Sequence, residues 1–239
     1  MMDTGDNSPI ISFKDVCCSY GYGRSKKQIL DHVTLDVAEG SLFGLVGESG
    51  SGKSTLANTA IGLARYSGSI SICGFERSSI TRKQAASLIQ CVFQDPANSL
   101  NPSKTIGWHI CEPLRALYDF SQAEQERIAW DSLEQVGLPK TFFTRMPNEL
   151  SGGEKQRASI AAALVSNPKI LIADEATSAL DPCAAATILN LFKTLNGQRK
   201  ITVFFISHDA EAVKWLCDSF AAMEAGSIAK SGDVSMLDL

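Results

Sequence analysis

Gly47-Glu48-Ser49-Gly50-Ser51-Gly52-Lys53-Ser54-Thr55 lies between a short apolar run, Ser41 to Val46 (SLFGLV), and the segment Ser54 to Leu63 (STLANTAIGL). The run has the length of a strand and the following segment reads as the first turns of a helix, so the nonapeptide occupies a strand-to-helix turn. Its pattern is G-x-x-x-x-G-K-[ST]. The glycines let the backbone curl with its N–H groups pointing inward around phosphate oxygens, and the positive end of the following helix adds to the attraction. On this reading Lys53 reaches the β and γ phosphates as a mobile point charge, and Ser54 gives its hydroxyl to Mg²⁺. An ordinary Gly/Ser turn is the alternative; the flanking strand and helix weigh against it.

Composition narrows the class. The chain has 239 residues, 44% hydrophobic and 20% charged, enough for a full core. A net charge of −4 argues against a dedicated nucleic-acid binder, whose phosphate contacts leave a basic excess. Seven cysteines (17, 18, 73, 91, 111, 183 and 217) are scattered, with no C-x-x-C pair and no histidine at ligand spacing, which predicts buried or free thiols in a reducing compartment. The N-terminal MMDTGDNSPI carries acids and no apolar stretch, so no secretory signal and a cytosolic chain are expected. Apolar runs such as Ile201 to Ile206 fall far short of the roughly 20 residues that span a bilayer.

Along the chain, Ile10 to Tyr20 and Gln28 to Val37 alternate and are joined by the glycine-rich basic stretch Gly21 to Lys27, which predicts an antiparallel pair ahead of the phosphate loop. Ser69 to Cys73, closed by Gly74, reads as a strand; Thr81 to Leu88 reads as a brief helix leading into a strand, Ile89 to Phe93. From Asp95 to Leu150 the character turns helical, with segments Ile106 to Tyr118, Ser121 to Val136 and Pro139 to Arg145, and Ser121 with Glu124 forms a capping box. Ile170 to Ala173 is a buried strand, Pro182 to Leu195 a helix with proline in its first turn, and Ile201 to Ile206 a β-branched and aromatic strand. That alternation predicts a parallel sheet with crossover helices.

Asp174 and Glu175 emerge together at the C-terminal end of the strand from Ile170, an edge where ligands gather. Beside a phosphate loop the first carboxylate suits Mg²⁺, directly or through water, and the second suits the holding and deprotonation of an attacking water. Taken alone the pair would equally describe a solvated strand end.

Between the two sites stands Leu150-Ser151-Gly152-Gly153-Glu154-Lys155-Gln156-Arg157, and here the sequence resembles the ATP-binding subunits of ABC transporters. The resemblance covers nearly the whole chain. Walker A is the phosphate loop and Walker B is Ile170 to Glu175; the family order is completed by a Q-loop at Gln94, the LSGG signature at Leu150 to Gly153, a D-loop at Ser178-Ala179-Leu180-Asp181 and a switch histidine at His208. Two positions depart from the usual pattern: Glu154 stands where the family usually has Gln, and Ala176 where Pro is commoner. Ser151, Gly152 and Gly153 open a helix expected over Glu154 to Val165, a positive end ready for a phosphate. The resemblance implies that two subunits pair head to tail, each signature closing on the γ-phosphate held by its partner's Walker A. It implies further roles: Tyr20, or alternatively Tyr22, stacking on adenine; Gln94 touching Mg²⁺ or water; His208 contacting the γ-phosphate; Asp181 ordering the interface. His32 and His109 are left structural.

The implied fold is α/β, a P-loop NTPase core of the ABC ATPase type with an antiparallel β subdomain and an inserted helical subdomain at approximately 95–165, all within one nucleotide-binding domain over 1–239. The stretch Val92-Phe93-Gln94-Asp95-Pro96-Ala97-Asn98-Ser99-Leu100-Asn101-Pro102 and the tetrapeptide Met146-Pro147-Asn148-Glu149 are similar to the peptide and nickel importer subfamily. The implied activity is ATP hydrolysis energising an importer of oligopeptides, dipeptides, nickel or metal chelates, with ATP and Mg²⁺ as cofactors. An ending at Leu239 would favour a compact member such as the nickel or metal-chelate type. The implied partners are two membrane permeases, a second ATPase subunit, identical or different, and through the permeases an extracytoplasmic substrate-binding protein; no nucleic acid is expected. The subunit would sit peripherally on the cytoplasmic face of the membrane. An exporter half and a soluble ABC ATPase remain as alternatives; the first usually fuses this domain to membrane helices, the second usually carries two such domains or long coiled coils.

Overall fold

A computed structural model describes residues 8–21, 27–95 and 99–237. Two sheets organise them. The first is antiparallel, ordered β2-β1-β4-β5, from β1 (Ile11–Tyr20), β2 (Lys27–Val37), β4 (Ser67–Ile72) and the two-residue β5 (Phe75–Glu76). The second has six strands in the order β10-β9-β3-β8-β7-β6. Its members are β3 (Leu42–Val46), β6 (Ile89–Val92), β7 (Ile170–Asp174), β8 (Thr202–Ser207), β9 (Ser219–Glu224) and β10 (Ser227–Asp233). All its neighbours pair in parallel except β9 with β10.

The central strands are apolar on both faces, as a covered parallel sheet requires, and the period of two sorts their side chains into two cores. Phe43, Leu45, Ile170, Ile172, Phe204 and Ile206 face the antiparallel sheet and α1 (Lys53–Ile61). Leu42, Val46, Leu171, Ala173, Val203 and Phe205 face the other way. That second core is continuous with the helices placed between β6 and β7, namely α3 (Ile106–Leu117), α4 (Gln122–Gln135) and α5 (Gly152–Leu164). It also takes in α6 (Pro182–Arg199) and α7 (Ala210–Leu216), which closes over β3 at Gly44.

Helix ends follow their chemistry. Ser121 caps α4 in a capping box with Glu124, and Thr81 does the same with Gln84 for α2 (Arg82–Leu88). The buried guanidinium of Arg77 donates to the carbonyls of Ala60 and Ile61, satisfying the C-terminal end of α1. Sequence and structure differ mainly in extent. Pro182 to Leu195 continues to Arg199 before Lys200 ends the helix in a left-handed conformation; Pro139 to Arg145 is a 3₁₀ turn over Lys140–Thr144. The strand expected over Ser69 to Cys73 runs from Ser67 to Ile72; it stops before Cys73 because Cys73 and Gly74 form its closing turn with φ of 51° and 79°. Elements beyond His208 were not read from the sequence at all. The seven cysteines are free thiols, and burial pushes those of Cys91 and Cys217 upward in pKa. No helix among the described residues is long and apolar enough to cross a membrane.

Candidate functional site

Three neighbouring parallel strands deliver the site. Val46 pairs with Ser207 and Asp174 with Ile206, so the C-terminal ends of β3, β8 and β7 lie side by side. From that edge come the Gly47–Thr55 loop, His208, and the Asp174-Glu175 pair. This is the crevice at the carboxyl ends of strands where open α/β sheets hold ligands.

The loop is shaped by close approach. A Cβ on Gly47 would stand 2.3 Å from the carbonyl oxygen of Met223, and Gly52, at φ 110°, is the residue on which α1 begins. Lys53, only 4% exposed, folds back so that Nζ donates to the carbonyls of Gly47 and Glu48, each at 2.8 Å. Burial lowers its pKa, and the carboxylates of Glu175 and Asp174 oppose that shift. The Ser51 hydroxyl is buried with no hydrogen-bond partner among the described residues. Such an orphan, inside a loop of N–H groups, fits an oxygen-bearing ligand.

Ser54 Oγ donates to Asp174 Oδ1 at 3.0 Å, joining the start of α1 to the end of β7. Burial raises the Asp174 pKa; Ser54 and Lys53 pull it down, while the neighbouring Glu175 charge raises it further. Glu175 takes a left-handed backbone, φ 49°, rare for a residue with a Cβ. Its N–H still donates to Ile206 O at 2.9 Å, so the turn is imposed immediately at the sheet edge. Its carboxylate lies 3.1 Å from His208 Nδ1. Tyr20, Ser49, Gly50, Gly52, Lys53, Ser54, Thr55, Gln94 and Glu175 border one open cavity of about 390 Å³. Tyr20 is half exposed there; Tyr22 falls outside the described residues.

The signature stands apart. Ser151 caps α5, and Glu154 closes the capping box by accepting both the Ser151 N–H (2.8 Å) and its hydroxyl (2.7 Å). Those bonds, the backbone one first, hold the Glu154 carboxyl below its ordinary pKa. Ser151, Gly152 and Gly153 line a cavity of about 450 Å³ that shares no residue with the nucleotide-loop cavity. Asp181 lies in it too, its Oδ1 capping α6 by accepting from the N–H groups of Cys183 and Ala184. The structure therefore brings Tyr20, Gln94, Ser49, Gly50, Gly52 to Thr55 and Glu175 around one cavity, with Asp174 and His208 bonded to its wall; it turns Gly47, Glu48 and Ser51 toward a second cavity beside Ala222 to Ala225 and leaves Ser151 to Gly153 and Asp181 at a third.

One support went unread in the sequence. The β9–β10 turn backs the loop: Gly226 N–H donates to Ser51 O at 3.0 Å, beside the Met223 contact. Ala225-Gly226, with φ of 45° and 88°, flanked by Ser219–Glu224 and Ser227–Asp233, carried the hairpin signal that would have found it.

The chain belongs to the ABC transporter family, whose model matches residues 30–178. A nickel import ATP-binding protein, NikE, of Pseudomonas putida is 39% identical over 87% of this chain and 78% of its own length. The oligopeptide transport ATP-binding protein OppF of Streptococcus pyogenes is 36% identical over 95% of this chain and 76% of its own. A Brucella abortus protein named for peptide import is 40% identical over 88% of this chain, and the chain spans 64% of that relative's length. Among solved structures, the dimeric ATP-binding cassette MJ0796 bound to ADP and Pi superposes with a TM-score of 0.83 at 29% identity, covering 94% of this chain and 98% of that one. The cbiO1 subunit from Clostridium perfringens, part of the cbiONQ transporter complex, gives 0.83 at 26% identity over 95% of this chain and 90% of its own.

Proposed function

We propose that this chain is the ATP-hydrolysing subunit of an ABC importer whose cargo is an oligopeptide, a dipeptide, nickel or a metal chelate. The observation that carries the reading is the meeting, from three adjacent strand ends, of Lys53, Ser54 and Glu175 at one cavity beneath a glycine-rich helix start, with Asp174 bonded to Ser54 and His208 to Glu175. The names of the importer relatives support the cargo class.

In this reading the loop N–H groups and Lys53 hold the β and γ phosphates, and Tyr20 offers its ring to adenine. The Ser54 hydroxyl, the Asp174 carboxylate and the Gln94 amide oxygen form a hard oxygen set that fits Mg²⁺. When bound, that ion neutralises charge on the phosphate oxygens. Glu175 holds the attacking water and takes its proton, and His208 fixes the Glu175 carboxylate and faces the γ-phosphate. Ser151 to Gly153 act on the triphosphate held by a second ATPase subunit, with Asp181 at the joint. Two permeases and, through them, an extracytoplasmic substrate-binding protein complete the assembly on the cytoplasmic face of the membrane. Nucleic acid is not a partner of so acidic a chain.

The test is Mg²⁺-dependent phosphate release by the subunit reconstituted with its permeases in lipid discs, alongside equilibrium titration of a fluorescent ATP analogue. Saturable nucleotide binding with permease-stimulated hydrolysis supports the reading; absence of nucleotide binding refutes it.

A further inference from the structure

Away from the nucleotide cavity, the outer face of the antiparallel sheet gathers four chemistry-bearing side chains: Asp15, Cys17, Asp31 and His32. Two offset β-bulges put them there. Between the pairs Phe13↔Leu35 and Val16↔Val33, β1 spends two residues, Lys14 and Asp15, against Thr34 of β2. Between Val16↔Val33 and Cys18↔Leu30, β2 spends Asp31 and His32 against Cys17. A bulge breaks the alternation, so consecutive residues share a face. Val16, Cys18, Leu30 and Val33 stay buried beneath, and Cys17, Asp31 and His32 meet on the outside. Asp15 and His32 take the left-handed backbone this needs, at φ 55° and 50°.

The arrangement is that of a ligand set. One atom each from Cys17, Asp31 and His32 lies within 4.8 Å of the others. Tetrahedral zinc, with bonds of about 2.0 to 2.3 Å, sets ligand atoms roughly 3.5 Å apart, a closure these exposed side chains can make by small rotations. The His32 Nδ1 bonds to Asp15 Oδ1 at 2.5 Å, which leaves Nε2 facing Asp31 Oδ1 at 3.8 Å. A carboxylate on one ring nitrogen is how metal-binding imidazoles are oriented through the other. The Cys17 sulfur accepts the His32 backbone N–H at 3.3 Å, which fixes it beside the residue that carries the imidazole. Asp31 is anchored from behind: its N–H donates to Gly226 O at 2.9 Å and its carbonyl accepts from Ser227 Oγ at 3.1 Å.

We propose that Cys17, Asp31 and His32, oriented by Asp15, bind a borderline transition-metal dication such as Zn²⁺, with water in the fourth position. One thiolate, one imidazole and one carboxylate match such an ion rather than Mg²⁺ or Ca²⁺, and a thiolate with a carboxylate balances its charge. The sequence reading left His32 structural because the register that unites it with Cys17 depends on both bulges.

The experiment titrates the tag-free full chain with Zn²⁺ against a chromophoric chelator, and with Co²⁺ as a spectroscopic probe. About one equivalent of Zn²⁺ should be withheld from the chelator, and Co²⁺ should give a thiolate charge-transfer band. Both should vanish in Cys17→Ser and His32→Ala, with unchanged circular dichroism as the check on folding. Asp15→Asn should keep the stoichiometry while weakening affinity about 10- to 100-fold. A wild-type chain without the band, or a band that survives Cys17→Ser, overturns the site. Neither result bears on nucleotide hydrolysis, since none of these side chains lines the nucleotide cavity.

Discussion

Replacing Glu175 by Gln tests the proposed activation of water by that carboxylate. Gln has the same length and shape, so the left-handed backbone at φ 49° and the N–H bond to Ile206 O are kept, and no cavity opens. One amide oxygen still faces His208 Nδ1 at the 3.1 Å position, so the histidine keeps a partner in its donor tautomer. What disappears is the acceptor for a proton. A positioned general base contributes about 10² to 10⁴ in rate, or about 2.7 to 5.4 kcal/mol of barrier at 1.36 kcal/mol per tenfold. ATP affinity should hold or rise, because a carboxylate bordering the phosphate cavity is removed. Single-turnover phosphate release and nucleotide titration on the same preparation separate the two effects. His208→Ala should slow the same step, and the double variant should lose less than the product of the singles, since the residues are in contact and act as a unit. Turnover of Glu175→Gln within threefold of wild type in the assembled transporter would refute the base assignment.

Other substitutions probe the remaining parts. Lys53→Ala removes a buried cation and its bonds to the Gly47 and Glu48 carbonyls, so nucleotide affinity should fall about 10- to 100-fold, the worth of a charge-assisted contact; wild-type affinity by titration would count against the loop assignment. Ser151→Arg should leave ATP binding at the chain's own loop intact and abolish ATP-driven dimerisation in a Glu175→Gln background, because a bulky unpaired charge enters the joint; a dimer seen by light scattering would remove the signature from the composite site. Gly44→Ala places a Cβ 2.4 Å from Val213 Cγ1, so α7 must shift off β3 at a cost of about 1 to 3 kcal/mol; an unchanged thermal midpoint would contradict the packing, and Val213→Ala should be less than additive with it. Glu154→Gln bears on pH. The native carboxyl is held below its ordinary pKa, so its stabilising share is complete above the unfolded value and is lost as pH falls through the folded one; the variant, with nothing to titrate, should converge with wild type in acid, and parallel melting curves would refute the cap's charge dependence.

How much of this was legible depended on the range of the signal. The phosphate loop, the Ser121 capping box and the buried strand Ile170 to Ala173 are local: a few adjacent residues specify backbone geometry, and the structure repeats them nearly residue for residue. The convergence of Ser54 with Asp174, 120 positions apart, needs the strand order β3-β8-β7, which no local pattern states. The backing of the loop by Met223 and Gly226 was missed because Ser219 to Glu224 is short, apolar and weakly alternating. Bulges are hidden in another way. At Lys14-Asp15 and Asp31-His32 the sequence simply looks like an imperfect strand, and only the partner's register shows that two residues face one.

The signature and the phosphate loop lie at separate cavities of the subunit. Ser151 already uses its hydroxyl proton and N–H on Glu154, and the Glu154 N–H returns a bond to Ser151 Oγ at 3.4 Å. The N–H groups of Ser151 and Glu154 are thus taken within the subunit, and an anion arriving at Gly152 and Gly153 meets a carboxylate at the same helix start. Where Gln stands instead, the cap acceptor survives without the charge. In the proposed composite site, the Glu154 carboxylate would raise the cost of closing on a second subunit's triphosphate and leave the chain's own loop untouched. On that proposal the subunit would stay open until a further contact adds the binding energy that closure requires.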